Sequence, residues 1–461
     1  MIKQGSLLLG ANLIGSMVSL VRNILIARLL MPEDFGIGAL FVLVLTFLEM
    51  LSNLSVDRQI VQDERGGGRR FISNVHFFEL FKGLFLGMGL YLLAPLLSNI
   101  FKLGEAQWAF EVLSVVPVIR GFRNWSSVTE QRESVFLKTS IMELLPQLLS
   151  FILFFVISEF VKDFTLYLYL ILFQVIFQVV LSHILKLYRY SICFDLDILK
   201  SIFVFGWPLM VNGFLLYFFM QGDRALLSVF YDMTLLGLFS AAFSISIMPT
   251  VILGKFLNSL FLPLLSRGGQ VFYYRELLVR ICIFMAFIYV LFICVGGEFL
   301  YRAVFGEKYH SGAVFLVVLG VVHSFRIIRI APAVIATSVA NTKSILYSNV
   351  VRGIGFLVAI IFASVGVSPV YMAASAGLGE LLAISYQYYF VSYRGSKINI
   401  GRFDYCLFAF LVLVVVLGYT GFVPKAYDFL AMFYMAILVL VLSLLGFLYL
   451  FFDYKKRVCC V

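Results

Sequence analysis

Apolar runs recur through this chain roughly every 33 residues, and each is long enough, at roughly 20 residues, to cross a bilayer as a helix. That spacing leaves little sequence for anything but spans and short connections. The 461 residues are 62% hydrophobic and only 13% charged, against roughly half and a quarter in soluble domains. The pattern predicts an all-α polytopic membrane protein. A net charge of +10 would point to nucleic acid in a soluble protein. Here basic loops on one membrane side account for it, and no nucleic-acid partner is expected.

The N-terminal "MIKQGSLLLGANLIG" reads as an uncleaved first span, because no small-residue cleavage site closes a short apolar region. Cys282 and Cys294 share one apolar run, and Cys459 and Cys460 end the chain. This spacing suggests neither disulfides nor a zinc site. The terminal "VCCV" has Val fourth from the end and is no prenylation box. His76, His183, His310 and His323 are scattered, so no metal and no cofactor are expected.

Hydropathy and polar breaks predict about fourteen spans. They fall near 6–30, 36–55, 77–100, 106–127, 139–158, 164–186, 201–227, 237–262, 279–297, 312–335, 344–366, 369–391, 405–423 and 429–452. Alternate loops divide by charge, with about twenty basic residues on one side and about five on the other. The first set includes Arg58, Arg65, Arg69, Arg70, Arg267, Arg394, Lys397 and the tail Lys455, Lys456, Arg457. The positive-inside rule makes that side cytoplasmic and, with an even span count, leaves both termini there. No loop exceeds roughly 20 residues, which leaves no room for a soluble catalytic domain or a large outer loop. A membrane-embedded polysaccharide assembly enzyme would need an acid/base or metal constellation on one face, and none is evident.

The chain repeats itself. "RNILIARLLMPEDFGIGALF" resembles "DRALLSVFYDMTLLGLFSAAF" at a shift of about 201, a kind of internal symmetry common in transporters. Gly36 then falls on Gly237, Ala27 on Ser228 and Arg22 on Asp223. "VIRGFRN" around Arg123 parallels "VVHSFRI" around Arg326 at a shift of 203. Six spans, an even number, separate the copies. The expectation is two parallel, pseudo-symmetric six-helix lobes, 1–200 and 201–403, around a central cavity. Residues 404–461 would add two helices and a basic cytoplasmic tail.

An arginine-bearing first helix, a short "PEDFG" turn, the inner segment "SVDRQIVQDERGGGRRF" and "LKTSIMELLPQLLSFI" together resemble oligosaccharide flippases. These form the polysaccharide transporter branch of the multidrug/oligosaccharidyl-lipid/polysaccharide exporter superfamily. The resemblance implies two lobes facing a cavity. It also implies movement of a lipid-linked glycan by alternating access in a bacterial cytoplasmic membrane. An undecaprenyl-diphosphate-linked oligosaccharide is the implied substrate. Membrane lipids, glycosyltransferases and a polysaccharide polymerase are the implied partners. Lipid II flippases and cation-coupled multidrug exporters of the same superfamily are the alternatives.

Arg22 lies about 12 Å along the first span from Leu30, deeper than its side chain easily reaches out of. Asn23 sits on the same polar stripe. Arg28 either snorkels or pairs near Glu33 and Asp34, or faces the cavity, as the resemblance to lipid II flippases implies. Arg58, Arg120 and Arg123 in the first half, and Arg326 and Arg329 in the second, read as a cationic entrance or as plain positive-inside anchoring. Asp223 and Arg224 sit deep in the seventh span, as cavity residues or an ion pair with a neighbouring helix. Glu79 and Lys82, three apart, are expected to pair. Glu49, Glu143 and Glu380 are candidates for a coupling ion or for packing pairs.

Overall fold

The computed structural model describes residues 2–266 and 271–393. The two expected C-terminal spans, the basic tail, the 404–461 segment, Arg267, Arg394 and Lys397 lie outside the described residues. Fourteen α-helices follow one another within them. They are α1 (Ile2–Leu29), α2 (Pro32–Ser52), α3 (Val56–Gln62), α4 (Arg69–Ile100), α5 (Gln107–Leu113), α6 (Val115–Gly121) and α7 (Leu137–Ile157). The remainder are α8 (Thr165–Ile184), α9 (Leu196–Phe230), α10 (Met233–Ser266), α11 (Val271–Phe305), α12 (Ala313–Ser338), α13 (Thr342–Ser364) and α14 (Pro369–Tyr393).

The surface of these helices is that of a protein in lipid. On α4, Phe81, Phe85, Met88 and Leu92 are 64%, 68%, 63% and 68% exposed, at helical spacing down one face. A contiguous apolar stripe of that kind is stable only where hydrocarbon covers it. Nine helical stretches among the described residues are long and apolar enough to cross a membrane.

Two compact units divide the chain, Met1–Gly237 and Leu238–Val461. In the first, α1 runs along α7, α7 along α8, and α4 along α5 and α6. α9 packs on α2, α3 and α4 and so falls within this unit, whereas the sequence division begins the second lobe with it. In the second unit α11 pairs with α12, and α14 packs on both α12 and α13.

Small residues set the close crossings, as expected where lipid gives helices no hydrophobic reason to associate. A Cβ on Gly121 would lie 3.0 Å from the Glu79 carbonyl oxygen, and one on Gly83 would lie 3.2 Å from Gly121 Cα. The α4–α6 contact is therefore backbone against backbone. Gly355 and Gly379 do the same for α13 and α14: a Cβ on Gly355 would lie 2.8 Å from Gly379 Cα, and one on Gly379 would lie 3.0 Å from Gly355 Cα.

Two segments differ from the sequence expectation. The fourth span is not one helix: it breaks at Ser114 into α5 and α6 and ends at Gly121. Pro117 has no N–H to return to the Leu113 carbonyl, and at the break Ser114 Oγ donates to the Glu111 carbonyl at 2.6 Å. Residues 126–133 form a 3-10 helix. The expected inner loop after the second span is likewise folded, as α3 and a 3-10 turn at Glu64–Gly67. Asp63 caps that turn and accepts from Arg65 N at 2.9 Å and Nη2 at 3.0 Å. The Arg65 guanidinium holds the Asp63 carboxyl below its ordinary range. Arg132 reaches across from the 3-10 helix and donates from Nη1 to the Ile60 carbonyl at 2.8 Å and to the Asp63 carbonyl. Gly66 leaves room for it, since a Cβ there would sit 3.0 Å from Arg132 Nη1. Beneath lies an apolar cluster that includes Leu54, Ile60, Phe71, Val75, Val128 and Ile202. The basic end of this unit is thus a folded platform.

Candidate functional site

α1 presents Gly15, Ser19 and Arg22 to α7 at spacings of four and three, one face of a helix. Gly15 makes room for Gln147, whose Oε1 would lie 2.8 Å from a Cβ there. Ser19 Oγ donates to the same oxygen at 3.0 Å. Arg22 continues the row and crosses to α8. Its Nη1 donates to Ser150 Oγ at 2.6 Å and to Gln174 Oε1 at 2.9 Å. Those two bonds use both Nη1 protons. Among the described residues Nε is buried with no hydrogen-bond partner. Arg22 therefore turns into its own helical unit and presents an unused donor edge there, the geometry in which a guanidinium grips an oxyanion with two parallel bonds.

Gln174 also lines a cavity of about 430 Å³ inside the same unit. α2 contributes Glu49 and Ser52, the connection to α3 Asn53, and α3 Asp57. α4 gives Glu79 and Lys82, α6 Arg120, and the stretch after it Arg123, Trp125 and Gln131. Thr139 and Glu143 come from α7, and Gln174 and Gln178 from α8. The cavity lies at the basic end of the bundle, where α2 ends and α4 and α7 begin.

Its charges are mostly matched. Lys82 Nζ lies 2.7 Å from Glu79 Oε1, the pairing expected from the sequence. Arg120 Nη1 lies 2.8 Å from Glu49 Oε2. The Arg123 guanidinium stacks on the Trp125 ring, 4.5 Å from its centroid. Among the described residues Arg123 Nε and Trp125 Nε1 are both buried without a hydrogen-bond partner. An unmatched buried donor is costly, roughly 1–3 kcal/mol.

The structure thus gathers Glu49, Arg120, Arg123 and Glu143 around one cavity and joins Arg22 to it through Gln174. Other candidates lie apart from its lining. Asn23 is half-buried and Arg28 exposed on α1, and Arg58 is exposed on α3. Asp223 and Arg224 are half-buried on α9, where Arg224 Nη1 donates to Gln221 Oε1 at 2.9 Å.

In the second unit Arg326 and Arg329 meet Glu380, which is fully buried. Arg326 Nε lies 2.7 Å from Glu380 Oε1, Arg329 Nε 3.1 Å from Oε2, and Arg352 Nε 2.8 Å from Oε1. Arg326 Nη1 also meets His323 Nε2 at 3.1 Å, and Arg329 Nη1 donates to Asn349 Oδ1 at 3.0 Å. This is a buried ionic knot that ties α12, α13 and α14 together. Among the described residues no group of His, Cys, Asp and Glu has the placement of a metal site.

Sequence reasoning passed over Trp125, Gln131, Gln174, Gln178 and Arg352. Gln174 and Gln178 did leave a signal, two amides one helical turn apart inside the apolar "LFQVIFQVV".

Comparison with known proteins agrees with this architecture. The structure of a lipid II flippase MurJ in an inward closed conformation matches with a TM-score of 0.72 at 14% identity, over 98% of this chain and 99% of that one. An inward-facing multidrug resistance MATE family transporter of the MOP superfamily matches with a TM-score of 0.61 at 16% identity, over 84% of this chain and 96% of that one. Identities this low establish the fold alone. No curated protein sequence matches the chain. The family model described as "Polysaccharide biosynthesis protein" matches residues 25–314, well over half of the sequence. The chain belongs to that family, in the polysaccharide transporter branch of the multidrug/oligosaccharidyl-lipid/polysaccharide exporter superfamily.

Proposed function

We propose that the protein is a flippase. It carries an undecaprenyl-diphosphate-linked oligosaccharide from the cytoplasmic to the outer leaflet of a bacterial cytoplasmic membrane by alternating access. The glycan then enters surface polysaccharide assembly. Glycosyltransferases supply the substrate and a polymerase consumes it. Both termini are cytoplasmic, and the chain performs no covalent chemistry of its own.

The observation that carries this reading is the unused Nε–H of Arg22, buried beside a polar cavity. An arginine this deep in a span costs roughly 2.5–3.5 kcal/mol on insertion scales. Among the described residues its hydrogen bonds are to two neutral groups, and a diphosphate supplies both a counter-charge and acceptors. Membership in a polysaccharide biosynthesis family supports a glycan cargo. The MurJ fold match supports a lipid-linked one, since that protein is named a lipid II flippase.

Asn23 and Arg28 on α1, Arg58 on α3, and Asp223 and Arg224 on α9 are the further candidates for contact with the cargo in the first unit, and Arg326 and Arg329 on α12 those in the second. Glu49 and Glu143 are the coupling-ion candidates that line the cavity. Glu380 is the third candidate, already engaged by three guanidiniums.

A second reading, export of organic cations, is favoured by the cavity's four carboxylates, Glu49, Asp57, Glu79 and Glu143. Replacing Arg22 separates the two. In a strain lacking the native gene, Arg22→Ala present at parental level in the membrane abolishes surface glycan if the flippase reading holds. Normal glycan, together with lost resistance to cationic dyes, assigns the protein to export instead.

A further inference from the structure

We propose that the cavity of the first unit binds the sugar residues of the cargo, with the phosphates left to Arg22. This rests on the flippase reading and assigns a role to residues that reading does not use.

Charge argues first. The lining holds three cations, Lys82, Arg120 and Arg123, against four carboxylates, and two of the cations are ion-paired. A diphosphate placed here would meet a carboxylate majority. A neutral, hydroxyl-rich ligand meets no such penalty.

Composition argues second. Gln131, which donates from Nε2 to Thr139 Oγ1 at 3.0 Å, Thr139 itself and Gln178 carry groups that both donate and accept, as sugar hydroxyls do. Trp125 adds an aromatic surface with a polar tip, suited to a ligand that alternates C–H faces and hydroxyls. Its Nε1–H and the Arg123 Nε–H are buried donors without acceptors. Neutral sugar oxygens complete both. The volume, about 430 Å³, falls inside the roughly 300–1,000 Å³ range of small-molecule sites.

Connectivity argues third. Gln174 bonds Arg22 and lines the cavity. In a lipid-linked glycan the first sugar is joined directly to the diphosphate. A phosphate held by Arg22 therefore delivers the first sugars to the cavity.

Trp125 reports on its own site, because the chain has only three tryptophans. The W108F/W207F variant of the full chain, in lipid nanodiscs, leaves Trp125 as the sole tryptophan. It is titrated with the soluble oligosaccharide released by mild acid from the host's lipid-linked pool, and separately with inorganic pyrophosphate. The proposal expects a saturable change in Trp125 emission with the oligosaccharide and none with pyrophosphate. Gln178→Ala and Gln131→Ala, at unchanged melting temperature, each raise half-saturation at least tenfold. A response to pyrophosphate alone, or none to the oligosaccharide, overturns the sugar site. The titration needs no lipid-linked substrate and no transport, so a saturable sugar response in a protein that moves no lipid-linked glycan keeps the site and removes the flippase reading.

Discussion

Gly36 and Gly237 meet backbone to backbone, each at the start of its helix. A Cβ on either would lie 3.0 Å from the other's amide nitrogen. A Cβ on Gly36 would overlap the Met233 carbonyl oxygen, and one on Gly237 would overlap the Pro32 carbonyl oxygen. Pro32 and Met233 are themselves equivalent in the internal repeat that aligns the two glycines. Each member of a pair thus contacts the equivalent of its own partner, the signature of a local two-fold relation between the first turns of α2 and α10.

Gly36→Ala and Gly237→Ala should each destabilise the purified protein by about 1–3 kcal/mol, because a backbone carbonyl has to move. The double variant should fall short of the sum, since the first substitution already separates the helices. Gly89→Ala is the control, with nothing within 4 Å of its Cβ. Thermal unfolding in detergent checks all four proteins. A fully additive double variant contradicts the shared contact.

Glu380 answers three guanidiniums in the second unit. Glu380→Gln should lower stability by about 3–5 kcal/mol, the usual result of leaving buried charge unmatched. Adding Arg352→Met should recover part of the loss by removing one surplus cation. Melting temperature and membrane abundance report the effect. A Glu380→Gln protein of parental stability that no longer transports would instead make this carboxylate the coupling group.

Arg132 pins α3 through two backbone carbonyls. Hydrogen bonds from a charged donor are worth roughly 1.5–3 kcal/mol. Arg132→Ala should raise amide exchange across residues 56–68 and leave α11–α14 unchanged. Unchanged exchange over 56–68 would show that the apolar cluster beneath holds the platform unaided.

The sequence declares its spans because lipid demands long apolar runs, and Arg22 stands out because charge is rare in such runs. The repeat is readable through Gly36 and Gly237 because a backbone crossing tolerates nothing larger. Other features depend on distant residues. Trp125, Gln131 and Gln178 are neutral and carry no charge anomaly, and only folding brings them to one cavity. Arg326 reads as an anchor near a span end until Glu380, 54 residues on, closes on it. The "DERGGGRR" stretch reads as a loop because its turn chemistry is local, while the Arg132 that organises it comes from elsewhere. The fourth span keeps its hydropathy through Pro117, so hydropathy alone misses the break.

Movement of labelled lipid tests the account most directly. Purified protein in proteoliposomes is given undecaprenyl-diphosphate-linked oligosaccharide from the host, and outer-leaflet glycan is measured by accessibility to a membrane-impermeant glycosidase. The parent should speed the exchange well above protein-free vesicles. Arg22→Ala should return it to background, and Arg22→Lys should keep part of it, because charge survives without the planar fork. Exchange by Arg22→Ala at the parental rate, or none by the parent, would contradict a flippase that grips its cargo through Arg22.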